Sequence, residues 1–265
     1  MYCTYYGFKQ PPFNITSDPE FFYESLSHRE ALAALLFGIR ESKGILLLTG
    51  EVGTGKTMLC RTLLEKLDEK VKVSFIMNPY FSEVQLLQAV VEDFGLHLEK
   101  KSRLDIVKKL NEFLLEVNAK GGNAVLIIDE AQNLTNRQLE QIRLLSNLET
   151  ASRKLLQIIL VGQPELVEKL GQFSLRQIRQ RISVKHDISP LREKEVKSYV
   201  ETRLKRAGDG KLVFSPGSYK LIYEFSKGIP RLVNLLCDRT LLLGYVRERR
   251  EFDEDICKES IKELS

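Results

Sequence analysis

Cysteine is scarce in this chain, and no apolar run is long. The 265 residues include four cysteines, Cys3, Cys60, Cys237 and Cys257, which are widely separated and form no C-x-x-C pair. This pattern favours neither a zinc site nor a disulfide framework. No apolar run approaches the ~20 residues that span a bilayer, and the N-terminus has neither the basic start nor the apolar centre of a signal peptide. These absences predict a reduced, cytoplasmic protein without a transmembrane segment in this chain.

Charge of one sign is not in large excess either. Lysine and arginine total 40 and aspartate and glutamate total 36, which gives a net charge of +4. This excess is too small to indicate nucleic-acid binding by itself. Apolar residues make up 43% of the chain, so a buried core is expected, and the length suits one large domain or a core domain with a smaller one attached.

A glycine-rich bend lies between an apolar strand and an amphipathic helix. The stretch GEVGTGKT fits the pattern G-x-x-x-x-G-K-[ST] that holds nucleotide phosphates. Its glycines allow backbone N–H groups to converge on phosphate oxygens, Lys56 would reach the β- and γ-phosphates, and Thr57 would offer its hydroxyl to Mg²⁺. The alternative is a plain turn with a surface lysine. The predicted ATP- or GTP-binding residues are Gly50, Glu51, Val52, Gly53, Thr54, Gly55, Lys56, Thr57 and Met58.

A second motif, VLIIDE, ends an apolar run with the acids Asp129 and Glu130. The acids are expected at the carboxyl end of a central strand, which is where ligands bind in open parallel sheets. Asp129 would hold Mg²⁺ through its water shell, and Glu130 would polarise the water that attacks the γ-phosphate. The alternative is an acidic strand end that caps the next helix. We expect the pair to support hydrolysis as well as binding.

Two polar residues could assist these motifs. Gln163 follows the apolar run LLQIILVG and could orient the lytic water or sense the γ-phosphate, or it could simply begin the turn before Pro164. Arg231 follows Pro230 at a predicted helix start, from which it could reach back toward bound phosphates or pair with a local acid.

The segment SLRQIRQRIS contains three arginines, Arg176, Arg179 and Arg181. One of them could reach the γ-phosphate in a neighbouring subunit and stabilise the transition state as an arginine finger. A solvated or anion-binding helix face is the alternative for the other two.

The spacing of apolar residues alternates between strand and helix, which predicts an α/β fold with a doubly wound parallel sheet. After an extended N-terminus, Ser27 and Glu30 predict a capped helix over 28–40. From Leu191 onward the pattern is helical throughout. We therefore predict an α/β nucleotide-binding core with an N-terminal arm over 1–190 and a small C-terminal helical lid over 191–265.

Together the motifs resemble bacterial AAA+ ATPases, in the order GEVGTGKT, VLIIDEAQNL, LVGQPEL, LRQIRQRI and GIPRLVN. The opening YYGFKQPPFNITSDPEFFY, followed by SHREAL, is similar to the ExeA/GspA-type secretion ATPases and their relatives in exosortase and pilus loci. The resemblance implies a P-loop NTPase fold, ATP and Mg²⁺ as cofactors, and an ATP-dependent ring or filament in which one subunit completes the site of its neighbour.

The resemblance also implies a role for each matching position. Those positions are Lys56 and Thr57 for Walker A, Asp129 and Glu130 for Walker B, Gln163 for sensor 1, Arg181 for the finger and Arg231 for sensor 2. Phe8, Pro12 and Phe13 fall in the N-terminal motif of the family. They would either line the adenine or pin the arm onto the core.

Two functions from different classes fit these features. The first is an ATPase that drives assembly of an envelope machine for secretion, pilus formation or polysaccharide export, acting at the inner face of the membrane through partner proteins. The second is a DNA-bound transposition regulator, because TniB/TnsC-type ATPases share the core motifs. DNA binding would need basic residues such as Lys100, Lys101 and Lys108 to form one track around a ring. A nucleotide-dependent scaffold with little turnover is a third reading, which Glu130 argues against.

Overall fold

The computed structural model describes residues 2–14, 18–99, 102–208 and 212–264. These residues group into two compact units. The sheet unit comprises His28–Gly50 and Leu59–Ile188. The helical unit comprises the described residues of Met1–Ser27, Glu51–Met58 and Ser189–Ser265. The change of unit after Ile188 falls close to the predicted start of the lid.

The sheet unit contains five parallel strands in the order β2-β3-β4-β1-β5. The strands are β1 (Ile45–Gly50), β2 (Val71–Ile76), β3 (Asn123–Ile128), β4 (Leu156–Gly162) and β5 (Ile182–Ile188). The parallel sheet is as predicted. Because all five strands run the same way, the carboxyl ends of β1, β3 and β4 lie at one edge of the sheet.

Twelve α-helices are present in the described part of the chain. They are α1 (Tyr2–Tyr6), α2 (Leu26–Arg40), α3 (Lys56–Lys66), α4 (Glu83–Asp93), α5 (Arg103–Ala119), α6 (Asn136–Leu145), α7 (Pro164–Gly171), α8 (Arg176–Arg179), α9 (Glu193–Ala207), α10 (Pro216–Ser226), α11 (Pro230–Val246) and α12 (Glu254–Leu264). Helices follow β1 to β4 in alternation, which accounts for the apolar character of the strands on both faces.

Alternate residues of β1 show that both faces of the sheet are covered. Ile45 and Leu47 belong to a buried cluster that includes Leu110 of α5. Leu46 points to the other face and packs against α2. A Cβ added to Gly38 of this helix would lie only 2.2 Å from Leu46 Cδ2. All six residues of β1 are buried. The strand is therefore a central one, as its uninterrupted apolar run predicts.

The start of α2 differs from the prediction. The helix ends at Arg40 as expected but begins at Leu26, so Ser27 lies inside the first turn and does not act as its N-cap. The N–H of Leu26 donates to Glu195 Oε1 at 3.2 Å, and Ser27 Oγ accepts from the N–H of Ser189 at 3.0 Å. These partners are distant in the sequence, and a local capping pattern cannot reveal them.

The N-terminal arm groups with the helical unit, whereas we expected it with the core. Tyr6, Phe8 and Phe13 are buried in the same apolar cluster as residues of α9 and α11. The Tyr6 hydroxyl is 3.1 Å from both the Leu241 and the Arg249 carbonyl oxygens. The predicted extended N-terminus also contains the short helix α1, which these contacts hold in place.

A small parallel sheet interrupts the region that was predicted to be wholly helical. Its strands are β6 (Val213–Phe214) and β7 (Glu251–Phe252). Each strand is only two residues long, so neither produces a recognisable alternation in the sequence. Phe214 and Phe252 stack with ring centroids 4.8 Å apart, and both are buried.

Candidate functional site

The glycine-rich bend forms a tight loop between β1 and α3. Gly50 is the last residue of β1, and α3 begins at Lys56. The loop curls around the carbonyl oxygen of Glu51, which accepts from Thr54 Oγ1 at 2.8 Å and from Lys56 Nζ at 2.9 Å. Lys56 is only 6% exposed. Its ammonium group is therefore held inside the loop, at the N-terminus of a helix, where an anion is stabilised by the helix dipole.

Arg231 lies directly against this loop. Its backbone N–H donates to the Gly53 carbonyl at 3.2 Å. Gly53 has a φ of 82°, and a Cβ added there would lie 2.6 Å from the Cβ of Arg231. Pro230 at the first position of α11 fixes the helix start that places Arg231 there. Because Gly53 has no Cβ, the backbone of the loop can approach Arg231, the residue predicted as sensor 2, this closely.

The two acids stand where β3 ends. Asp129 is only 2% exposed, and its N–H donates to the Ile76 carbonyl at 2.8 Å. Glu130 has a φ of 52°. This value lies in the left-handed region, which residues other than glycine rarely adopt. Its N–H donates to Asp129 Oδ1 at 2.9 Å. This hydrogen bond stabilises the strained turn after β3, and such strain is frequent at functional sites.

Gln163 contacts the second acid. Strands β3 and β4 are neighbours, and Gln163 Nε2 donates to Glu130 Oε2 at 3.1 Å. The placement meets the geometric condition on which the sensor 1 prediction depends. Gln163 also precedes Pro164 at the start of α7, as the alternative of a turn-forming residue requires. A residue in this position can also have the predicted sensor 1 role.

Gln132 is a part of the site that we did not predict. Its Nε2 atom donates to Glu130 Oε2 at 2.5 Å, and its Oε1 atom accepts from the N–H of Gln163 at 3.2 Å. The residue lies in the sequence DEAQNL, but an amide two positions after an acid belongs to no spacing pattern that would indicate its role. Its contact with a residue 31 positions later appears only in the folded sheet.

The three candidate finger arginines have different surroundings in the sheet unit. Arg181 Nη1 donates to Ser146 Oγ at 3.3 Å, and Arg179 Nη1 donates to the Gly171 carbonyl at 3.2 Å. The Arg176 guanidinium lies 4.2 Å from the ring centroid of Phe173, which is 79% exposed. Arg176 and Arg179 are exposed, and Arg181 is half-buried. The assignment of Arg181 as the finger stays a prediction.

Arg181 also contributes to the electrostatics of its surroundings. A hydrogen bond from Arg143 lowers the pKa of Glu140, and the charge of Arg181 acts in the same direction with a smaller effect. Arg181 is therefore close to an acid of its own unit.

Phe13 is buried in the aromatic cluster of the helical unit and is only 1% exposed. Arg203 of α9 holds the backbone on both sides of it, because Nε donates to the Pro12 carbonyl at 2.6 Å and Nη2 to the Asn14 carbonyl at 3.0 Å. This arrangement supports the pinning role for Phe13, with the helical unit rather than the core as the surface that it packs on. Its contact with an adenine stays a prediction.

The predicted metal ligands are Thr57 and Asp129. Within the described residues, no group of three or more His, Cys, Asp or Glu side chains could hold a metal ion. Hydroxyl and carboxylate oxygens are both donors that suit Mg²⁺, which is usually held by few protein ligands together with phosphate oxygens and water. The side chains of Thr57 and Asp129 are each of a type that fits Mg²⁺, and their joint binding of the ion stays a prediction.

Two further predictions concern the surface. None of the helices that the structure describes is long and apolar enough to cross a membrane. Lys108 lies on α5, whereas Lys100 and Lys101, the other residues of the predicted DNA-binding track, lie outside the described residues.

Comparison with known proteins finds a family match and a relative that covers most of this chain. Residues 39–170 match the family described as AAA domain. General secretion pathway protein A from Aeromonas hydrophila is 43% identical over 248 residues, which are 93% of this chain and 45% of that protein. The chain therefore spans less than half the length of this relative.

Solved structures with the same fold were also found. The ORC2 protein of Aeropyrum pernix, in ADPNP-ADP complexes, superimposes with a TM-score of 0.72 at 17% identity, over 97% of this chain and 72% of that one. Cdc6p from Pyrobaculum aerophilum gives a TM-score of 0.72 at 20% identity, over 93% and 70% of the two chains. At these identities the likeness shows the fold alone, which is the P-loop AAA fold. The match to the AAA domain family and the 43% identity to the relative from Aeromonas hydrophila show that this chain belongs to the AAA proteins of the ExeA/GspA type.

Proposed function

We propose that this chain is an ATPase that hydrolyses ATP with Mg²⁺. The observation that carries the proposal is the position of Glu130, which follows the buried Asp129 at the end of β3 and receives a hydrogen bond from Gln163 at the end of the adjacent β4. A carboxylate fixed in this way can act on a water molecule. Strand β1 runs parallel to its neighbour β4 and ends at the same edge of the sheet.

In this proposal each residue has one task. The loop N–H groups and Lys56 bind the phosphates, and Thr57 and Asp129 hold Mg²⁺, which when bound neutralises phosphate charge. Glu130 polarises the attacking water and draws its proton. The bond from the water oxygen to the γ-phosphorus forms while the bond to the bridging oxygen breaks, which gives ADP and inorganic phosphate. Gln163 orients the water, and Arg231 stabilises phosphate charge.

The first prediction concerns Glu130. Glu130→Gln keeps the size of the side chain and its hydrogen bonding but removes the carboxylate, so ATP should still bind while turnover falls by roughly 10²- to 10³-fold. The measurements are steady-state phosphate release and equilibrium binding of labelled ATP. Glu168→Gln is the matched control, since Glu168 is an exposed acid on α7. Parent-like turnover of Glu130→Gln would remove the basis of the proposal.

The proposed partners are further copies of this chain and proteins of an envelope system. Support for the second comes from the printed name of the relative, general secretion pathway protein A. We infer from it that hydrolysis drives assembly of a secretion, pilus or export machine, with the chain acting in the cytoplasm at the inner face of the membrane. DNA binding as a transposition regulator is the alternative from the sequence, and no comparison specifically favours it.

A further inference from the structure

We propose that Gln132 is a positioning residue for hydrolysis, and that it keeps the Glu130 carboxylate in register with Gln163 at the end of β4. This inference rests on the proposed function of Glu130. It adds a residue to the site and states how the water-polarising group is coupled to the group that senses the γ-phosphate.

Gln132 uses both ends of its amide. The NH₂ end donates to Glu130 Oε2 at 2.5 Å, and the oxygen end accepts from the backbone N–H of Gln163 at 3.2 Å. A backbone N–H can only donate, so this contact fixes which end of the amide is the oxygen. The side chain therefore bridges the Glu130 carboxylate and the carboxyl end of β4.

The turn that carries Gln132 is itself anchored. Gln132 lies in the short 3₁₀ turn Ala131–Asn133. Lys169 Nζ, from α7, donates to the carbonyl oxygens of Gln132 at 2.5 Å and Leu134 at 2.9 Å. Helix α7 begins directly after Gln163. The backbone of the turn and the end of β4 are thus tied to the same helix.

Gly162 leaves space for this amide. A Cβ added to Gly162, the residue before Gln163, would lie 2.9 Å from Gln132 Oε1 and 2.7 Å from Leu166 Cδ2. Only glycine at this position leaves the oxygen end of Gln132 where it can meet the next N–H.

The Glu130 carboxylate receives two hydrogen bonds on the same oxygen. Gln132 and Gln163 both donate to Oε2 of Glu130. Among the residues that the structure describes, none donates to Oε1 of Glu130. Two donors on one oxygen set the plane of the carboxylate and leave the other oxygen to act on water. A shift of about 1 Å in such a group can cost roughly 10²-fold in rate.

The experiment compares two substitutions that remove different halves of the bridge. Gln132→Glu keeps an acceptor for the N–H of Gln163 but replaces the donor to Glu130 with a like charge. Gln132→Met keeps a side chain of similar length and removes both hydrogen bonds. Asn133→Ala is the matched control on the same turn, because the Asn133 side chain makes no hydrogen bond among the described residues. Phosphate release, ATP affinity and thermal unfolding are measured for each variant.

We expect both Gln132 variants to bind ATP within about twofold of the parent, with kcat lowered by roughly 10- to 100-fold. The double-variant comparison separates positioning from a structural role. In the Glu130→Gln background, Gln132→Met should change the single-turnover rate by less than about twofold, since no carboxylate remains to be positioned. A loss in that background as large as in the parent, or parent-like kcat in both single variants, would overturn the inference. If Gln132→Met does not fold, Gln132→Leu carries the same comparison, since it also removes both hydrogen bonds and adds no carboxylate.

Failure of this inference can be distinguished from failure of the proposed function. If the parent turns over ATP and Glu130→Gln does not, the proposed function stands whatever the Gln132 variants do. If the parent does not hydrolyse ATP, or Glu130→Gln is as active as the parent, the proposed function and this inference fall together.

Discussion

Gly53 meets two separate constraints at the scale of a single residue. Its φ of 82° is unfavourable for any other residue, and a Cβ would collide with the Cβ of Arg231. Gly53→Ala should therefore lose about 1 kcal/mol through backbone strain and should also push the loop away from α11, lowering ATP affinity by at least roughly tenfold. Isothermal titration with ATP and a denaturant titration measure the two effects.

Gly95 provides the control for this prediction. It has a φ of 80°, but a Cβ added there would meet nothing within 4 Å. Gly95→Ala should show the strain cost without the loss of affinity. Equal affinity loss in both variants, or none in Gly53→Ala, would contradict the role that we assign to the contact between Gly53 and Arg231.

At the scale of elements, one arginine of α9 holds the N-terminal arm. Arg203 is only 4% exposed, and its guanidinium bonds two arm carbonyls and lies 5.0 Å from the centroid of the Phe21 ring. Arg203→Ala should destabilise the helical unit by about 2–3 kcal/mol because buried carbonyls lose their donors. Limited proteolysis should then cut the arm before α2 faster than in the parent. Lys205→Ala, which changes an exposed residue on the same helix, should leave the cleavage rate unchanged. If Arg203→Ala is cleaved no faster than the parent, packing alone holds the arm.

The elements also show what the sequence can predict. The apolar runs of β1, β3 and β4 predict their strands because burial on both faces leaves no room for polar residues. Helix α1 has five residues and depends on the Tyr6 hydroxyl reaching Leu241 and Arg249, so no local pattern indicates it. The site divides in the same way. Lys56, Asp129 and Glu130 lie in motifs with fixed spacing, whereas Gln132 is recognisable only once β3 and β4 are paired.

At the scale of the whole molecule, the arginines after α7 test self-association. If one of them acts in a neighbouring subunit, its alanine variant should bind ATP but not hydrolyse it, and mixing with Lys56→Ala should restore some activity at composite sites. We predict this for Arg181→Ala, and Arg176→Ala and Arg179→Ala are tested beside it to identify the residue. Phosphate release is measured across a range of protein concentrations. Rates per subunit that do not depend on concentration down to the monomer, with no gain on mixing any variant, would exclude a shared site.

Gly162 connects the packing of the sheet unit to the chemistry at its edge. A side chain at this position would displace both Leu166 of α7 and the amide oxygen of Gln132. We therefore expect the residues at positions 132 and 162 to change together among relatives. A relative that replaced Gln132 with a smaller residue would lose one of the two reasons for a glycine at 162, and a relative that acquired a larger residue at 162 would need another side chain to hold its glutamate.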